Sequence, residues 1–138
     1  MAKTVADIMT ARPAVVEAEQ PVSVAAALMR DNDAGAVIVN DNGRVSGIIT
    51  DRDIAVRVVA ADKGPDTRVR EACSPSVEAV GPDTSLDQAV QLMRTHAVRR
   101  LPVVESGQAV GIVSLGDLAM ERDPESALGD ISAAAGND

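Results

Sequence analysis

Gly47-Ile48-Ile49-Thr50-Asp51-Arg52-Asp53-Ile54-Ala55 returns as Gly111-Ile112-Val113-Ser114-Leu115-Gly116-Asp117-Leu118-Ala119, an offset of 64 residues. The same offset pairs Val5 with Val69, Val16 with Val80, Leu28-Met29-Arg30 with Leu92-Met93-Arg94, Val39 with Val103, and Gly43 with Gly107. A register held over nearly the whole chain signals a duplicated half-domain. Each half is too short to bury a core alone, so the halves are expected to pack on each other and leave related clefts between them.

Each half reads as the same succession of elements. Val15-Val16 and Val77 to Val80 form short apolar segments after Pro13 and Pro75, which predicts a brief strand. Val22, Ala25, Ala26 and Met29 then fall on one helical face, and Leu86, Ala89, Val90 and Met93 repeat the spacing. Thr84 through Asp87 reads as a capping box for the second helix, whereas Pro21 opens the first. Ala36 to Val39 and Val45 to Ile49 flank Asn40-Asp41-Asn42-Gly43-Arg44, a hairpin signature. Leu101 to Val104 and Ala109 to Val113, around Glu105-Ser106-Gly107-Gln108, are its twin. A closing helix begins near Asp51 and is expected to carry Ile54, Val58 and Ala61 inward, and its counterpart after Ser114 is stopped by Pro124. The predicted organisation is a first repeat over 5–61, a linker over 62–68 containing Gly64-Pro65, a second repeat over 69–122, and a flexible tail over 123–138.

Composition narrows the function. The chain has 138 residues, 46% hydrophobic and 25% charged, as expected of one soluble globular unit. A net charge of −8 argues against duplex nucleic acid as a partner, since phosphate neutralisation needs a basic face. No apolar run approaches the length of a bilayer span, and Met1-Ala2-Lys3-Thr4 lacks the apolar stretch of a secretory signal, so a cytoplasmic protein without membrane partners is expected. The single Cys73 rules out an internal disulfide and fits a reducing compartment. With no Phe, Tyr or Trp, no base can stack on a protein ring, and the core must be built from Val, Ile, Leu, Met and Ala. A core of this modest size favours further burial in a homodimer.

Two copies of strand, helix, hairpin and helix, each closing in Gly-apolar-apolar-Thr/Ser-x-x-Asp, with Leu101-Pro102-Val103-Val104 before the second turn, resemble a tandem pair of CBS domains. Such a pair is called a Bateman module. The resemblance runs from about Val5 to Ala119 and leaves no room for a catalytic domain within the chain. It implies an α+β fold of two pseudo-symmetric β-α-β-β-α repeats packed through their sheets. It also implies a stand-alone regulatory module of the bacterial kind, some of which are associated with stress or hypoxia. Such modules commonly bind adenine nucleotides, sometimes S-adenosylmethionine or metal ions, and usually assemble as disc-shaped dimers.

The closing motif supports two compatible roles. Thr50 to Asp53 and Ser114 to Asp117 are S/T-x-x-D capping boxes on physical grounds alone. By resemblance, Asp53 and Asp117 accept hydrogen bonds from ribose hydroxyls, and Thr50 and Ser114 meet ribose or phosphate at a helix N-terminus. Arg99 and Arg100, just before Leu-Pro-Val, match the basic pair that reaches the phosphates in nucleotide-sensing relatives, a task suited to guanidinium groups. The alternative is that the pair is solvated or meets surface carboxylates. Gly35 and Ala36 occupy the equivalent positions in the first half, so one good phosphate site per chain is expected. By resemblance, adenine recognition rests on main-chain groups and aliphatic walls, with Val15, Val16 and Val77 at the positions of the family's first strand, although valines in short strands usually serve packing. AMP, ADP or ATP is the expected ligand, ahead of S-adenosylmethionine, and no cofactor or metal is required.

Enzymatic chemistry finds little support. His96 is the only histidine and has no Cys or second His at ligand spacing. No nucleophile-and-base set is recognisable, and Asp41, Asp83 and Asp87 have turn or cap explanations. Two readings remain: a nucleotide-responsive module acting through its dimer or an unknown protein partner, and a ligand-independent dimerisation module that has kept the fold.

Overall fold

The order of elements follows the duplication. The computed structural model describes residues 4–75 and 78–122. A 3-10 turn over Val5–Asp7 leads to β1 (Thr10–Ala11), β2 (Val15–Glu17), α1 (Val22–Asn32), β3 (Ala36–Asp41), β4 (Arg44–Thr50) and α2 (Asp51–Ile54). The last of these runs on as a π-helical stretch, Ala55–Val59. Then come α3 (Val69–Ala72), β5 (Ser74–Pro75), α4 (Leu86–His96), β6 (Arg100–Glu105), β7 (Gln108–Ser114) and α5 (Leu115–Arg122).

These elements form two compact units. One comprises residues 14–77 and holds a four-stranded sheet in the order β2-β3-β4-β5, with β2 parallel to β3 and the other pairs antiparallel. The other comprises, among the described residues, 4–13 and 78–122, with an antiparallel sheet β1-β7-β6. In that unit the described residues of the expected first strand of the second repeat form a parallel bridge between Val80 and Val103, the counterpart of Val16 beside Val39. Val77, where that strand is expected to begin, and the tail over 123–138 lie outside the described residues.

The boundaries of the units do not coincide with those of the sequence repeats, because the leading segments are exchanged. Val5 donates its amide to Thr84 O and Ala6 to Pro82 O, both in the second half. Val69 donates to Gln20 O and Arg70 to Ala18 O, both in the first. Val5 is buried with Val80, Ala89, Met93, Leu101, Val103, Val113 and Leu118, while Val69 and Ala72 are buried with Val16, Val22, Ala25, Val37 and Ile49. The motif glycines mark where the exchanged strands dock: Gly47 lies opposite Pro75 across β4 and β5, and Gly111 lies opposite Ala11 across β7 and β1. In the first unit Arg70 and Arg68 also reach Glu19 at 2.6 and 2.8 Å, and Arg70 reaches Asp41 at 3.2 Å. At the positions equivalent to these two arginines the chain has Ala6 and Thr4.

The hairpins are tighter than the sequence suggests. The loops are only Asn42-Gly43 and Ser106-Gly107, with all four residues at positive φ, the conformation of a primed two-residue turn. Each hairpin carries an irregularity at an equivalent place, Val39/Asn40 and Val103/Val104. Both long helices end in left-handed residues, Asp33 and Ala97. Three expectations need correction. The α4 capping box runs from Ser85 to Gln88, because Thr84 Oγ1 is taken by the Gly81 amide at 3.0 Å. Ala26 is exposed, since the buried stripe of α1 is Val22, Ala25 and Met29. Ala61 is also exposed, because the wider turn over Ala55–Val59 leaves Val58 as the buried residue of that stretch and the helix ends before Ala61.

Candidate functional site

Each closing motif sits where an inner strand turns into a helix. Thr50 ends β4 in extended geometry, its Oγ1 accepts the Asp53 amide at 3.0 Å, and its own amide donates to Asp53 Oδ2 at 2.9 Å. Ser114 and Asp117 repeat both bonds at 3.0 and 2.9 Å. These are reciprocal capping boxes, so the structural role is met in both copies. It does not exhaust the side chains. A hydroxyl that accepts one bond keeps its proton for donation, and a carboxylate with one oxygen engaged keeps a second acceptor. Asp53 Oδ1 stands 3.9 Å from Arg57 Nε, beyond hydrogen-bonding range.

In the second repeat the arginine pair lies beside the motif. Arg100 is directly opposite Ser114 across β6 and β7, and Arg99 O accepts the Leu115 amide at 2.7 Å. Arg99 is exposed and Arg100 half-buried. The first repeat has the same backbone arrangement without the cations: Gly35 O accepts the Asp51 amide at 3.0 Å and Ala36 faces Thr50. The backbones of Arg99 and Arg100 therefore adjoin those of Leu115 and Ser114 within one unit, with Asp117 tied to Ser114 by its cap, and Thr50 and Asp53 form the counterpart motif in the other.

The remaining site residues are placed unevenly. Val16 is 1% exposed and packs in the core, so only its main chain remains for a ligand. Val15 is half-buried beside Ile38. Val77 lies outside the described residues. His96 is exposed at the end of α4, 3.7 Å from Glu78. Burial pushes the Cys73 thiol up from its ordinary pKa, and the nearby Asp53 carboxylate adds to the shift. Among the described residues no group of three or more His, Cys, Asp or Glu is arranged to hold a metal ion. No described helix is long and apolar enough to cross a membrane.

One residue escaped the sequence reading. Arg57 Nη1 donates to Cys73 O at 3.1 Å and to Ala72 O at 3.4 Å, so it ties the motif helix to the end of α3. The only signal for it in the sequence is a charge reversal, since the equivalent position in the second repeat is Glu121.

Comparison with known proteins matches this geometry to a family. The CBS domain model matches residues 5–60 and 69–123. The CBS domain-containing protein YhcV of Bacillus subtilis is 42% identical over 119 residues, covering 86% of this chain and 85% of YhcV. Hypoxic response protein 1 of Mycobacterium tuberculosis is 36% identical over 127 residues, covering 91% and 88%. A crystal structure of Hypoxic Response Protein I with two coordinated zinc ions aligns with a TM-score of 0.76 at 34% identity, over 84% of this chain and 96% of that one. The hexameric CBS-CP12 protein from bloom-forming cyanobacteria aligns with a TM-score of 0.78 at 26% identity, over 97% of this chain and 84% of that one. With two family matches, the 64-residue register and two equivalent closing motifs in agreement, the chain belongs to the CBS domain family and carries two copies of the domain.

Proposed function

We propose that the protein is a non-catalytic regulatory module of the cytoplasm that binds AMP, ADP or ATP through its CBS motifs and signals through self-association or a protein partner. One observation carries the reading: at the β6–β7 end of one sheet the backbone brings Arg100 opposite Ser114 and Arg99 against Leu115, within one turn of Asp117. That set offers guanidinium donors for phosphate and a hydroxyl with a carboxylate for ribose. S-adenosylmethionine suits it less well, because it has no phosphate for the arginines. Ligand binding can redirect such a module only by favouring one arrangement of it over another. The test is equilibrium dialysis with labelled AMP and ATP on the protein and on Asp117→Ala and Arg99→Ala/Arg100→Ala variants whose folding is checked by circular dichroism. The reading requires binding that weakens at least tenfold, about 1.4 kcal/mol, in the folded variants. Unchanged affinity in both sinks it.

Self-association without ligand has its own support. Val56 and Met120 are 64 residues apart, 49% and 40% exposed, and Val59 is 69% exposed. Exposed apolar side chains at equivalent positions of two closing helices are what a subunit contact would cover. The hexameric CBS-CP12 neighbour points the same way.

A further inference from the structure

The two motifs share one set of capping bonds and differ four residues later. In the first repeat, Arg57 is anchored by Cys73 O and Ala72 O, and its Nε faces Asp53 Oδ1 at 3.9 Å. The Asp53 side chain is 12% exposed, so protein neighbours rather than solvent set its orientation, and Arg57 is the cation among them. Its Oδ2 is engaged by the Thr50 amide, which leaves Oδ1 as the acceptor for an incoming hydroxyl. A separation of 3.9 Å attracts without hydrogen bonding, so the lone pairs of Oδ1 stay open while the carboxylate is held against rotation. Arg57 also lies within the π-helical stretch Ala55–Val59, whereas α5 in the second repeat is a regular helix with Glu121 in the equivalent place. Departures of this kind from α geometry concentrate at functional positions.

We infer that Arg57 is a positioning residue that holds Asp53 to receive a vicinal diol, a support that the second repeat, with Glu121 in the equivalent place, does not give Asp117. The inference rests on the nucleotide reading above and adds a positioning residue at the first motif. The arginine does not touch ligand; it acts through the carboxylate and through the carbonyl end of α3.

The experiment compares AMP with 2′-deoxy-AMP in equilibrium dialysis against the full chain, its Arg57→Gln and Arg57→Lys variants and Asp53→Asn. Wild type is expected to prefer AMP. In Arg57→Gln that preference shrinks about fivefold, the worth of one hydrogen bond, while affinity for 2′-deoxy-AMP changes less than twofold. Arg57→Lys restores part of the preference, since it keeps the charge and loses the planar fork. Asp53→Asn reduces the preference at least as much as Arg57→Gln. An Arg57→Gln protein that keeps the full preference, or that weakens both ligands equally, overturns the positioning role and leaves the nucleotide reading intact. Wild type that binds neither ligand overturns both, and that result is distinct because it appears before any variant is made.

Discussion

Replacing Gly111 by alanine tests the exchange of leading segments. A Cβ at this position would meet the Met9 sulfur head-on, with Met9 Cγ at 2.9 Å and Thr10 O at 3.0 Å. The thioether can swing away at small cost, but Thr10 O belongs to β1, whose pairing with β7 fixes it. The change therefore forces the docked segment outward, and overpacking of this kind costs about 1–3 kcal/mol. For a chain of this length that is a drop of about 4 °C in Tm for each kcal/mol. Far-ultraviolet circular dichroism is the assay, because the chain has no Trp, Tyr or Phe to give a fluorescence signal. Met9→Ala combined with Gly111→Ala should recover part of the loss, as contacting residues couple in a double-mutant cycle. Gly43→Ala is the control, with open space around it and φ +79, so its cost of about 1 kcal/mol comes from the backbone alone. If Gly111→Ala proves as stable as wild type, or if the Met9 change does not couple to it, residues 5–11 do not dock on β7.

Four further outcomes follow from the same geometry. Ala97→Gly should stabilise by about 1 kcal/mol in urea unfolding, since Ala97 closes α4 at φ 53, where glycine is unstrained. Thr50→Ala and Ser114→Ala should each cost about 1 kcal/mol of stability by the same assay, because each removes an N-cap acceptor, and that loss must be separated from any effect on binding. Cys73 should alkylate more slowly in the native than in the unfolded chain, with a midpoint above the ordinary thiol value of about 8.5, in a pH series with iodoacetamide. Because its folded pKa is raised, the contribution of the thiol to stability is complete below the unfolded pKa and is lost as pH rises towards the folded one. Val56→Lys with Met120→Lys should shift sedimentation towards the monomer, as the two changes place charges on the exposed apolar positions.

The parts legible in the sequence were those governed by local rules repeated twice. Hairpins were marked by Asn42-Gly43 and Ser106-Gly107, the long helices by the spacing around Ala25 and Ala89, and the motif caps by Thr50 and Ser114. The exchange was not legible, because Val5 and Val69 are equivalent residues, and either half offers an equivalent place to receive each of them. Local pattern also misjudged Thr84, whose hydroxyl serves the Gly81 amide while Ser85 caps the helix. The π-helical turn and the reach of Arg57 to Cys73 O depend on contacts across 16 positions, which neither periodicity nor motif spacing encodes. At the candidate site, Arg100 could be placed opposite Ser114 from the hairpin register, and Val16 is buried in the core, the packing role usual for a valine in a short strand.

Nucleotide binding itself is tested most directly by ultraviolet absorbance of the protein after incubation with AMP, ADP or ATP and gel filtration. With no Trp, Tyr or Phe in the chain, the protein is nearly silent where adenine absorbs, so bound nucleotide appears as a band that elutes with it. The account predicts an adenine band that Arg99→Ala/Arg100→Ala and Asp117→Ala diminish. A flat spectrum, repeated at equilibrium with saturating nucleotide in dialysis, would contradict it and leave self-association as the function.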